Sequence, residues 1–179
     1  MKKNLLSIAA AASLGLLALA PAAHAADGQI DFTGSVVSSS CVINGGAPTF
    51  TVSLPPVSTK TLLNAGEVAG RVPVPITLTG CTPDTKVRAH FESGLTTNGA
   101  GRLTADAGAG NAANVELQLL NDGFLPVKAG AAEGTQNTNL VDVPASGNAD
   151  LKYYVEYYSN GAATAGAVKS RVMYSITYE

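Results

Sequence analysis

Apolar residues recur at every second position in seven separate runs of this 179-residue chain, and that period of two restricts the fold more than any other feature. Ile30, Phe32, Gly34 and Val36 share one face of QIDFTGSVV; Phe50, Val52 and Leu54 share one of TFTVSL; Val72, Val74, Ile76 and Leu78 share one of RVPVPITLTGC. The same pattern holds for Val87, Ala89 and Phe91 in KVRAHF, for Val115, Leu117 and Leu119 in NVELQLL, and for Leu151, Tyr153, Val155 and Tyr157 in LKYYVEYY. The last run, SRVMYSITYE, places Val172, Tyr174, Ile176 and Tyr178 on one side of a strand. Clusters of Gly, Pro, Asn and Ser separate the runs, which reads as an antiparallel immunoglobulin-like sandwich rather than a closed barrel. TKTLLNAGEVAG carries a helix signal sufficient for a turn or two. Pro73 and Pro75 cannot donate to a ladder, so their run begins at a sheet edge or outside the sheet. Residues 94–114 and the stretch GAAEGTQNTN, poor in large apolar side chains, read as surface loops.

The first 25 residues obey other rules. MKKNLLSIAAAASLGLLALAPAAHA joins two lysines to an apolar run and ends on Ala23-His24-Ala25, the pattern of a signal peptide cleaved on export. The apolar run is short for a membrane span, and no positive stop-transfer cluster follows it. The mature chain then covers residues 26–179, the size of one domain. Of 11 basic residues, loss of Lys2 and Lys3 leaves 9 against 13 acidic ones, a net charge of −4. That balance argues against nucleic acid, whose phosphates call for a basic footprint. No later stretch is long and apolar enough to span a bilayer. Cys41 and Cys81 are the two cysteines of the chain, and in an exported protein they pair most simply with each other. Neither C-x-x-C nor a cysteine-histidine spacing points to a metal instead.

Catalytic signals are weak. The mature chain has one histidine, His90, which strand alternation turns to the face opposite Ala89 and Phe91, toward solvent. No G-x-S-x-G elbow accompanies it. GAGNAA at residues 108–113 matches a dinucleotide-binding pattern, and Glu133 lies at a suitable distance, but no strand precedes it and no helix follows. The reading is therefore of a non-enzyme with no cofactor and no metal.

The two ends remain. Gly28, Ile30, Phe32, Gly34 and Val36 form a strand-like arm ahead of the first cysteine, and Gly34 marks a place where another backbone or a wall approaches closely. On patterning alone the arm serves equally as the domain's own first strand. At the other end, a last strand at a sheet border leaves its outer edge and an apolar row in want of a partner.

DGQIDFTGSVVSSSCVI, the GCT at the second cysteine, the T-A-G turn at residues 164–166 and the penultimate Tyr178, in this order and spacing, resemble the major subunits of chaperone-usher (type 1-like) fimbriae over the whole mature chain. The resemblance implies an all-β fold, an incomplete immunoglobulin-like sandwich (pilin fold) that lacks its last strand and carries an N-terminal donor-strand arm. It implies a signal peptide at 1–25, a donor extension at 26–37 and a pilin domain at 38–179. Carried onto this chain, Gly28, Ile30, Phe32, Gly34 and Val36 are the donor strand, while Val172, Tyr174, Ile176 and Tyr178 line the acceptor groove and, with the carboxylate of Glu179, meet the chaperone. The implied partners are neighbouring copies in a homopolymer, a periplasmic chaperone and an outer-membrane usher; the implied site is a fimbria on the surface of a Gram-negative bacterium. Two alternatives stand beside this reading: a minor or adaptor fimbrial subunit, and a self-contained exported carbohydrate-binding sandwich whose arm is its own first strand.

Overall fold

The computed structural model describes residues 29–33 and 41–179. The leader, the boundary between arm and domain, and Gly28, Gly34 and Val36 lie outside those residues. The chain divides into two units, Met1–Val36 and Val37–Glu179. Of the first, residues 29–33 form neither helix nor ladder, and Gln29 Nε2 donates to Asp31 Oδ1 at 2.5 Å.

Among the described residues, the second unit is built from eight strands in two sheets. They are β1 (Val42–Ile43), β2 (Val68–Thr79), β3 (Lys86–Phe91), β4 (Leu103–Thr104), β5 (Val115–Leu120), β6 (Val141–Asp142), β7 (Ala149–Ser159) and β8 (Tyr174–Tyr178). One sheet runs β1-β2-β7-β5-β4, the other β6-β3-β8, and every ladder is antiparallel. The alternating residues meet between the sheets as the period of two requires. Val74, Ile76 and Leu78 of β2, Leu117 and Leu119 of β5, and Leu151, Tyr153 and Val155 of β7 pack with Val87, Ala89 and Phe91 of β3. Within that core the Phe91 and Tyr153 rings meet edge-on at 5.1 Å. Cys41 and Cys81 form the expected disulfide, with Cα atoms 4.3 Å apart. Closing a loop of about 40 residues contributes roughly 4 kcal/mol through the unfolded chain.

One local expectation is met at its lower bound and two are corrected. In TKTLLNAGEVAG only Thr59–Thr61 is helical, a single 3-10 turn whose start is held by the Lys60 N–H donating to Ser58 Oγ at 3.2 Å; Val68 onward already belongs to β2. The strand expected at TFTVSL runs through residues 49–54 with no ladder partner among the described residues. The loops are not all superficial: Thr96, Leu103, Ala112 and, above all, Gln136 are buried. Gln136 replaces a missing neighbour of β3, accepting the Phe91 N–H on Oε1 and donating from Nε2 to the Phe91 carbonyl, both at 2.8 Å. That loop also covers His90, whose side chain is only 20% exposed, 3.6 Å from Glu92 Oε2.

The outer face of the five-stranded sheet is locked by charge. Glu156, almost fully buried, receives Arg71 Nη2 at 2.8 Å and Gln118 Nε2 at 3.2 Å. Glu116 takes Arg102 Nε at 2.5 Å and Asn98 Nδ2 at 3.0 Å. Burying a carboxylate is tolerable only with partners of this kind.

Candidate functional site

β8 pairs with β3 from Val87↔Tyr178 to Phe91↔Tyr174, and its other edge has no partner strand among the described residues. The border position expected of the last strand is what the structure shows. Val172, Tyr174, Ile176 and Tyr178 form a row along it, each half-buried and packed on the main core. Upstream of β8 the row is extended by Val168.

A second wall faces this row. Residues 48–54 form neither helix nor ladder, and Val52 and Leu54 pack on the same core while Phe50 stays partly exposed. The two walls touch through the tyrosines. The Tyr174 hydroxyl donates to the Pro48 carbonyl at 2.7 Å, and its ring meets Phe50 edge-on at 6.4 Å. The Cys41 N–H donates to the Tyr178 hydroxyl at 3.0 Å. Burial holds the Tyr174 hydroxyl protonated above the usual tyrosine range, as its donor role requires. Among the described residues, the half-buried row of β8 is thus bordered by a strand edge without a ladder partner on one side and meets, through Tyr174, a segment that joins no ladder.

The approach to β8 is fixed by backbone contact. Thr164 Oγ1 accepts the Ala113 N–H at 2.8 Å, the Ala112 N–H donates to the Ala167 carbonyl at 2.9 Å, and the Ala167 N–H donates to the Gly110 carbonyl at 2.9 Å. A side chain on Gly166 would sit 2.4 Å from the Ala112 nitrogen, so glycine is demanded there by proximity. This accounts for the glycine of T-A-G, whereas Gly108 and Gly110 of GAGNAA take positive φ, 132° and 83°, in the turn that faces it. Ser170 Oγ and the Lys169 carbonyl bond in turn to Thr104 and Asp106.

The structure thus brings together Cys41 with Cys81 and aligns all four residues expected of the acceptor row. Ile30 and Phe32 are 77% and 88% exposed, and Gly28, Gly34 and Val36 lie outside the described residues. The reading of the chain missed the second wall as a wall. Phe50, Val52 and Leu54 were visible by alternation, and the bracketing Pro48, Pro55 and Pro56 are the one hint that this strand ends without neighbours.

A sequence profile of the type-1 fimbrial protein family, FimA: Type-1 fimbrial protein, A, matches residues 54–179. The chain belongs to that family. Among curated relatives, the major fimbrial subunit SMF-1 of Stenotrophomonas maltophilia is 48% identical, over 91% of this chain and 99% of that one. The F17 fimbrial protein of Escherichia coli is 41% identical, over 93% and 96% respectively. Among solved structures, the P pilus rod subunit PapA superposes with a TM-score of 0.58 at 18% identity, over 78% of this chain and 99% of that one, a likeness of fold. This fimbrial subunit therefore has the pilin fold, an immunoglobulin-like sandwich without its final strand, and it is a structural component of a surface fibre.

Proposed function

We propose that this fimbrial subunit polymerises head to tail by strand donation. The arm at residues 26–37 of one copy, freed by removal of a signal peptide at 1–25, fills the groove between β8 and residues 48–54 in the pilin domain, 38–179, of the next. The observation that carries the reading is the empty outer edge of β8 above a half-covered apolar row, in a chain whose own arm exposes Ile30 and Phe32. Strand addition is the established mode of chaperone-pilin complexes. An incoming strand supplies ladder hydrogen bonds to β8 while alternate side chains cover Val172, Tyr174, Ile176 and Tyr178. Ile30, Phe32 and Val36 are the plugs, with Gly34 at the place that admits no side chain and Gly28 opening the donor strand. Burial of the three plugs contributes about 5–9 kcal/mol.

A donor and an acceptor on one chain make a heterologous interface that does not close on itself, hence an open filament. Before assembly the groove needs a temporary strand, which a periplasmic chaperone supplies and an outer-membrane usher exchanges. The similarity to a major fimbrial subunit supports a place in the shaft. The subunit works without catalysis: His90 is a packed strand residue, and its replacement leaves assembly intact.

The test is electrophoresis of surface material sheared from cells, with and without boiling in detergent, for wild type and Phe32→Asp. A ladder that collapses on boiling and is absent from the variant is expected. Monomer in every lane with a normally folded variant sinks the proposal and favours a self-contained module.

A further inference from the structure

β2 offers a second long strand edge. β1 pairs with it only at Leu78 and Thr79, and between Arg71 and Thr77 no described strand covers the side away from β7. A bare edge is a template for any extended chain, and each copy carries an arm with exposed apolar residues. Strand donation as read above would then have two addresses per subunit.

The residues at that edge remove the second address. The Thr77 N–H points away from β7 and donates to Asn44 Oδ1 at 2.8 Å, with the Thr77 hydroxyl also on Asn44 Oδ1 at 3.1 Å. Alternation gives the same direction to the residues two and four positions earlier, which are Pro75 and Pro73. Both hold register with β7, opposite Lys152 and Tyr154, and neither has an N–H. At three successive outward positions, two donors are missing and the third is taken. An incoming strand meets carbonyls alone and cannot form a ladder. On the other sheet the open part of β3 is sealed differently, by the Gln136 amide on Phe91 and by Tyr153 Oη accepting the Ala89 N–H at 3.2 Å.

We propose that Pro73, Pro75 and Asn44 are specificity-determining residues of assembly: they deny the donor arm the β2 edge, so each subunit accepts one arm, beside β8, and the fibre grows unbranched. The proposal rests on the strand-donation reading. Asn44 suits its part because its backbone is left-handed, φ 46°, which turns the side chain back toward Thr77.

The experiment uses assembled fibres, whose grooves are filled. Wild type, Pro73→Thr/Pro75→Thr and the same pair with Asn44→Gly are incubated with a fluorescent synthetic peptide of residues 26–37 and imaged by electron microscopy. Wild-type fibres are expected to take up label only at chain ends. The variants are expected to take up label along their length, approaching one peptide per subunit in the triple variant, or to bundle side by side. Should the double variant fail to accumulate, each single proline variant restores one donor and takes the same test; uptake by neither overturns the proposal. Fibres that still form from the Phe32→Asp variant overturn strand donation and this proposal with it. Detergent-sensitive wild-type fibres together with inert variant fibres overturn this proposal alone.

Discussion

The two sheets of the sandwich are built to different ends. In the five-stranded sheet, β2 and β7 pair over most of their length, β5 is buried on both faces, and Arg71–Glu156 and Arg102–Glu116 tie the outer surface. In the three-stranded sheet the ladders are short, and its last strand presents an apolar row with one side uncovered. One sheet holds the domain together; the other is held in readiness. Marginal stability makes such a division necessary, because a few kcal/mol lost at an open edge must be offset in the closed part.

Matched truncations test this division most severely. Leu151→Ala in β7, at a fully buried position, is expected to cost about 2–5 kcal/mol in urea unfolding of the subunit. Ile176→Ala in β8, half-buried, is expected to cost roughly half of that in the unassembled subunit, yet to accelerate fibre dissociation in hot detergent more than Leu151→Ala does. Equal effects in both assays would erase the contrast between the sheets.

Alkali sharpens the comparison from the core side. Burial pushes the Tyr153 hydroxyl above the usual tyrosine range; the Ala89 N–H opposes that shift, and the nearby charge of Asp122 adds to it. A raised folded-state value means the folded protein holds its proton more tightly than the unfolded chain. The stability this gives is full below about pH 10, the unfolded value, and is lost as pH rises through the folded one. Unfolding midpoints are therefore expected to fall above about pH 10, and Tyr153→Phe to lessen the fall. The smallest effect belongs to the wall contact: Tyr178→Phe removes the acceptor of the Cys41 N–H and is expected to cost about 1 kcal/mol, read as a shift in the urea midpoint.

The ladder strands of the sandwich were legible because alternation reports burial on one face, and β2, β3, β5, β7 and β8 all bury what their sequences mark. Alternation is silent about who lies alongside. Residues 49–54 carry the same signal as β3, yet among the described residues one is paired on both sides and the other on neither, since hydrogen-bond neighbours leave no periodic trace. The prolines of β2 did leave one, because a missing donor excludes a neighbour on that side. Gln136 left none: a glutamine in a Gly- and Asn-rich stretch reads as solvent-facing, and its burial depends on a free strand edge found only in the folded chain. His90 was misjudged for the same reason, its outward face being roofed by that loop.

The position of the disulfide has a mechanical side. In a fibre built by the strand donation proposed above, pull would enter each subunit through the strand seated beside β8 and leave through the arm that precedes Cys41. Beyond Cys41 the chain enters β1, two residues joined to β2 by two ladder positions, a seam that tension would peel one pair at a time. The Cys41–Cys81 bond lies beside that seam and would carry the load covalently to the C-terminal end of β2 and thence into its long ladder with β7. Under stretch such a fibre would have its exit point riveted, leaving the grip on the donated strand to decide when it gives way.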